Sequence, residues 1–109
     1  MEQERFGEAT YNLYELQKLL RNPAKGIVTA EAEINASSLG IVGKEEIVEI
    51  ILRLRPDEIY KTMPAKKKSG LWQDVYKTME ANNALYIKLQ KSYNGKGVVI
   101  QLKRDNSVA

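Results

Sequence analysis

The sequence predicts an α+β domain: three N-terminal helices packed on one face of an antiparallel four-stranded meander sheet, with a short extra edge strand. Three observations carry that expectation. Apolar residues recur at helical spacing through the first half, the period switches to two after Pro56, and Asn- and Gly-containing turn signals cut the second half into strand-length pieces. At 109 residues the chain is a single domain, long enough for one core.

Residues 1–10 lack apolar periodicity and are expected to form a frayed tail. The first helix is predicted over 13–21, with Asn12 as N-cap and Glu15 placed to close a capping box. Leu13, Leu16 and Leu20 share one face, with Leu19 beside them, and Asn22-Pro23 ends the helix because the residue before a proline is pushed out of the helical region. Gly26–Val28 is a short apolar piece suited to a minor edge strand. The second helix starts after Thr29 and runs to about Leu39, with Gly40 where a left-handed C-cap is favoured. The third spans Lys44 to about Leu54, with Ile47, Val48, Ile51, Leu52 and Leu54 as its buried face. Glu45 and Glu46 suit its positive end and Arg53 its negative end.

Four strands follow, at about 57–63, 70–79, 84–92 and 97–104. Asn82-Asn83 and Asn94-Gly95 supply the second and third connections, while the first, from Pro64 to Gly70, is long and lysine-rich. Alternation decides which side chains share a face. In the third strand Leu85, Ile87 and Leu89 oppose Tyr86, Lys88 and Gln90; in the fourth Val98, Ile100 and Leu102 oppose Val99, Gln101 and Lys103. The apolar sets are expected under the helices. In the second strand the larger aromatic area favours Trp72 and Tyr76 inside, which leaves Gln73 and Lys77 outside and Asp74 in need of a partner. In the first strand Lys61 outside places Tyr60 inside. The open face so built carries Lys61, Gln73, Lys77, Tyr86, Lys88 and Lys103.

Composition narrows the chemistry that face can perform. The chain has no cysteine and no histidine, which excludes disulfides, thiolate metal sites and the commonest general base. No apolar run reaches the roughly 20 residues of a membrane span, and the start lacks a signal-type apolar core, so a soluble cytoplasmic protein is expected. Residues 1–50 hold 5 Lys+Arg against 9 Asp+Glu, net −4, whereas 51–109 hold 12 against 5, net +7. A split of that size points to a polyanionic partner for the second half.

The stretches Ile59–Met63 (IYKTM), Leu71–Tyr76 (LWQDVY), Leu85–Leu89 (LYIKL) and Val98–Lys103 (VVIQLK) resemble those of the motility quorum-sensing regulator (MqsR) toxins. Asn35–Ile41 (NASSLGI) resembles the end of that family's second helix, so the likeness spans roughly 13–103. It implies a RelE-like fold and a ribosome-independent mRNA interferase, an endoribonuclease that cuts single-stranded mRNA at a short sequence motif. The family's cleavage residues fall on Lys61, Gln73 and Tyr86, with Lys103 as a further candidate; an arginine of the family is Lys77 here. The resemblance also implies a cognate antitoxin with a zinc-binding N-terminal half that contacts the toxin and a DNA-binding C-terminal half.

Cleaving RNA internally needs a base near the 2′-hydroxyl, donors on the developing phosphorane and an acid at the leaving 5′-oxygen. Lys61 or Lys103 suits the phosphorane charge, Tyr86 the proton transfer and Gln73 the orientation of phosphate or ribose. No metal or other cofactor is needed for this set, and clustered lysines are expected to lower one another's pKa and that of a nearby phenol. Lys66, Lys67, Lys68, Lys77 and Lys88 are candidate RNA contacts. Two other classes compete. A non-catalytic RNA- or protein-binding module would use the same basic face, and a DNA-binding regulator would need a basic recognition helix, whereas the helices here are the acidic half.

Overall fold

The computed structural model describes residues 3–107. The chain runs β1 (Arg5–Phe6), α1 (Leu13–Arg21), β2 (Gly26–Val28), α2 (Ala30–Ser37), α3 (Lys44–Leu52), a 3-10 turn at Pro56–Glu58, then β3 (Ile59–Pro64), β4 (Trp72–Glu80), β5 (Asn83–Lys91) and β6 (Gly97–Arg104). The strands form one six-stranded sheet in the order β1-β3-β4-β5-β6-β2. It is mixed, because β2 runs parallel to β6 while every other pair is antiparallel.

The expected four-stranded antiparallel sheet is therefore corrected at both edges, and the element order with it, since two strands precede or separate the helices. A parallel pair has no tight turn to announce it, and a two-residue strand carries no readable period. Of the tail expected over residues 1–10, residues 1–2 lie outside the described residues, and the stretch from Arg5 to Thr10 is tied to the sheet. Arg5 and Phe6 pair with Thr62 and Lys61, and the buried Asp74 carboxylate accepts the Thr10 and Tyr11 amides at 2.8–3.1 Å. Asp74 sits on the helix side of the sheet, so its lone pairs need donors, and the backbone entering α1 supplies them.

The helices follow local chemistry. Asn12 accepts the Glu15 amide at 3.1 Å, although the Glu15 carboxylate turns away to Lys91 at 2.7 Å and leaves the capping box open. Thr29 caps α2 by accepting the Ala32 amide, and its hydroxyl also donates to the Ile100 carbonyl of β6. Leu13, Leu16 and Leu20 of α1 meet Ile47, Ile50 and Ile51 of α3 over a sheet floor of Tyr76, Leu85, Ile87, Leu89, Val99 and Leu102. Buried Gln17 ties the two helices by donating to the carbonyls of Ile51 and Leu54 at 2.9 and 3.1 Å. Gly26 lets α1 close on β2, since a Cβ there would stand 2.7 Å from the Leu20 carbonyl oxygen.

The second helix departs from the expected layer. β2 covers only Gly97–Val99 of β6, and α2 continues along the edge beyond it. Its Ala32 and Ala36 enter the core, while Glu31 and Asn35 hydrogen-bond Gln101 on the opposite side of the sheet. Of the hairpin turns, Ala81 and Asn82 both take positive φ (49° and 66°) between paired Glu80 and Asn83, so the turn sits one residue earlier than Asn82-Asn83. Gly95 takes φ +79° in the last turn, as Asn94-Gly95 predicts.

Two bulges complete the sheet. Ile59 and Lys61 oppose Tyr76 and Val75, which leaves Tyr60 as the extra residue of β3. Lys88 and Leu89 oppose Gln101 and Val99, which leaves Ile100 as the extra residue of β6. Each bulge reverses the alternation beyond it.

Candidate nucleic-acid interface

On the helix-free side the register arranges side chains in rows across the strands. One row runs Lys61, Val75, Lys88 and Gln101. The next, two residues along, runs Lys77, Tyr86 and Lys103. On the same face, beyond the Lys88 row, Met63 faces Gln73, whose amide donates to Gln90 at 3.0 Å, and Gln90 faces Val98. Neighbouring strands lie about 4.8 Å apart and alternate residues about 6.7 Å apart along a strand, so the first two rows fall within the span of one or two nucleotides.

Lys61, Tyr86, Lys88 and Lys103 come together here. The Lys103 ammonium stands 5.1 Å from the Tyr86 ring centroid and that of Lys88 5.9 Å. Gln73 shares the face but lies on the far side of the Lys88 row, turned toward Gln90. Lys66, Lys67 and Lys68 form an exposed loop at that same end, closed by a hydrogen bond from the Ala65 amide to the Leu71 carbonyl. Lys77 is held differently. Its ammonium lies 3.8 Å from the Tyr60 ring centroid and 3.4 Å from the buried Asp105 carboxylate.

Several placements differ from the alternation rule. Tyr60, expected inside, lies on the open face, with its ring edge-on to Phe6 at 5.3 Å, because the β3 bulge turns it there. The β6 bulge moves Ile100 out to the open side and brings Val99 into the core, with Val98 opposite Gln90. Trp72 is only half-buried and sits under the Arg5 guanidinium at 5.0 Å instead of anchoring the core. Tyr76 does enter the core, as its area predicts.

The protons on this face are not uniform. The Lys61 ammonium donates to Glu4 at 2.7 Å, and that bond holds its pKa above the ordinary lysine value. Lys88 is pushed down, first by burial and then by the charges of Lys103, Lys61 and Lys66. The Tyr86 phenol is raised, because burial outweighs the pull of Lys61. The expected mutual lowering thus fails for Tyr86 and Lys61 and describes Lys88 alone among these three. Desolvation is the larger force on a half-buried phenol, and an acidic neighbour reverses the sign at Lys61.

Alternation alone does not reveal Glu4, Glu31, Tyr60 or Asp105 as parts of this surface. Glu4 and Lys61 are 57 positions apart, and no local pattern links them. Gln90 and Gln101 fall on the open side by parity, and their oriented carboxamides distinguish them only once the neighbours are known. Among the described residues, no cluster of three or more acidic side chains could hold a metal ion, and no helix is long and apolar enough to cross a membrane.

Comparison with known proteins bears on this face. Residues 8–104 match the family model described as "Motility quorum-sensing regulator, toxin of MqsA". A search among curated proteins finds no match.

Proposed function

Because the chain belongs to the motility quorum-sensing regulator toxin family and is thus the toxin of a toxin–antitoxin pair, we propose that it cleaves single-stranded mRNA on the open sheet face without help from the ribosome. The observation that carries the proposal is the phenol of Tyr86 set among Lys61, Lys88 and Lys103 on an uncovered, cationic surface. In the proposed reaction the 2′-oxygen bonds to the adjacent phosphorus as its proton passes to a base. The P–O5′ bond then breaks and the 5′-oxygen takes a proton, leaving a 2′,3′-cyclic phosphate and a 5′-hydroxyl.

The proton affinities support a division of labour. Lys88, whose hold on its proton is weakened first by burial and then by the neighbouring lysines, is the group best suited to accept the 2′-hydroxyl proton. Tyr86 keeps its proton at neutral pH and so serves as the donor to the leaving oxygen or the phosphorane. Lys61 and Lys103 balance the growing negative charge, and Gln73 positions the chain of the RNA. The partner implied by the family is an antitoxin. The proposal extends to a two-part antitoxin, zinc-binding where it contacts the toxin and DNA-binding at its other end, and to action in the cytoplasm where mRNA is found.

The test is incubation of the purified chain with defined RNAs, without ribosomes or added metal, followed by analysis of the new ends. Cyclic phosphate and 5′-hydroxyl ends are expected. Tyr86→Phe and Lys61→Ala should each lower the rate by about 10²-fold or more while RNA binding survives. Binding with no cleavage of any RNA would instead assign the face to a non-catalytic RNA-binding module.

A further inference from the structure

Beside the lysine cluster the open face sinks into a cavity of about 430 Å³. That volume lies in the range of small-molecule sites. We propose that this cavity is a nucleobase pocket that reads one base next to the cleaved bond, an assignment that rests on the endoribonuclease proposal above.

The pocket's floor is polar, and fixed in orientation. Gln90 is 5 % exposed and Gln101 8 %. Gln90 Oε1 accepts from Gln73 Nε2 at 3.0 Å. Gln101 Nε2 donates to Glu31 at 2.7 Å, and its Oε1 accepts from Asn35 at 2.9 Å. Gln73 and Gln90 hold each other through one bond and Gln101 is held by two partners, which leaves Gln73 Oε1, Gln90 Nε2 and the second Glu31 oxygen without a hydrogen bond among the described residues. Donors and acceptors fixed in orientation from the floor to the rim of a concave site match the edge of a planar heterocycle better than a flexible phosphate.

The walls and rim fit the same ligand. Met63 and Ile100 give the cavity apolar flanks, and Ile100 stands there only because the β6 bulge adds it to this side. Bulges recur where a side chain is re-aimed beside a functional site. Lys66, Lys67 and Lys68 border the opening, placed for the phosphates on either side of a nucleotide. Lys88 lines both the cavity and the row that holds Lys61, so a base seated here keeps its own phosphodiester beside the lysine cluster. Glu31 is the single acid lining the cavity, and a carboxylate accepts from N–H donors. The pocket therefore favours a base whose pairing edge presents N–H groups to it.

Two readouts test the assignment. In the first, an RNA pool with randomised sequence is cut and the 5′-hydroxyl ends are sequenced. The unaltered chain should prefer particular bases at one position beside the cut, and Glu31→Gln or Gln90→Leu should flatten that preference by about tenfold at that position alone. In the second, short RNAs made uncleavable by 2′-O-methylation, differing at one base, are titrated by fluorescence anisotropy, and the same substitutions should erase the difference in Kd. Discrimination in binding without cleavage by the unaltered chain would overturn the nuclease proposal and keep the pocket. Cleavage with a base preference that neither substitution changes would overturn the pocket and keep the nuclease. Glu31→Gln is conservative and lies at the surface end of the network, so it carries the test if Gln90→Leu fails to fold.

Discussion

The ammonium of Lys61 donates to the carboxylate of Glu4 at 2.7 Å, so a lysine of the proposed cleavage site already holds an anion from the chain's own N-terminal segment. β1 brings Glu4 there by pairing Phe6 with Lys61 itself. If the face binds RNA as proposed, a phosphate at Lys61 displaces this carboxylate. Glu4→Gln should therefore tighten RNA binding by about two- to fivefold at low salt, with the gain fading as salt rises. The stability cost should be small, about 0–1 kcal/mol, because Glu4 is solvent-exposed and its ion pair is screened. Anisotropy titrations at two salt concentrations check this; an unchanged Kd would mean the pair does not compete with RNA.

Lys88 sets the expected pH dependence. Its pKa lies below the ordinary lysine value, first through burial and then through Lys103, Lys61 and Lys66. If its neutral form takes the 2′-hydroxyl proton, the cleavage rate should rise with pH and level off below the normal lysine range. Lys103→Ala removes the largest of the opposing charges, so the rising limb should move to higher pH. Lys88→Arg keeps the charge but cannot lose its proton, and should abolish cleavage while RNA still binds. A lysine whose folded pKa is depressed is penalised in the fold when charged, so stability should rise as pH climbs from the folded toward the unfolded pKa. A rate profile that Lys103→Ala leaves in place would remove Lys88 from the proton transfer.

Asp74 holds the N-terminal segment against the sheet. It is fully buried and accepts the Thr10 and Tyr11 amides. Asp74→Ala leaves those donors without partners, at a cost of about 2–4 kcal/mol. Urea unfolding should show that loss, and amide exchange over residues 5–11 should accelerate well beyond the change elsewhere. Uniform acceleration across the whole chain would mean that the segment does not open as a unit.

Much of this architecture can be read in the linear chain because its causes are local. Asn12 and Thr29 cap helices with their own side chains, and Asn94-Gly95 turns a hairpin through the positive φ of Gly95. The parity of Leu85, Ile87 and Leu89 against Tyr86 and Lys88 follows from strand geometry, and the structure keeps it. Parity fails at Tyr60 and at Val98–Ile100, because an extra residue costs little locally and its position depends on how two strands settle against each other.

What the sequence by itself determined is the kind of molecule: three short helices, a strand-rich basic half and the motifs that mark the toxin family, since period, capping and composition act within a few residues. Tertiary structure alone decided what lies on the open face and what restrains it. The parallel seating of β2, the seizure of Lys61 by Glu4, the anchoring of Thr10 and Tyr11 by Asp74 and the bulge that opens Ile100 onto a cavity all join segments far apart in the chain. The free energy of such pairings is set by which distant surfaces meet on folding, and no short window of residues contains both partners.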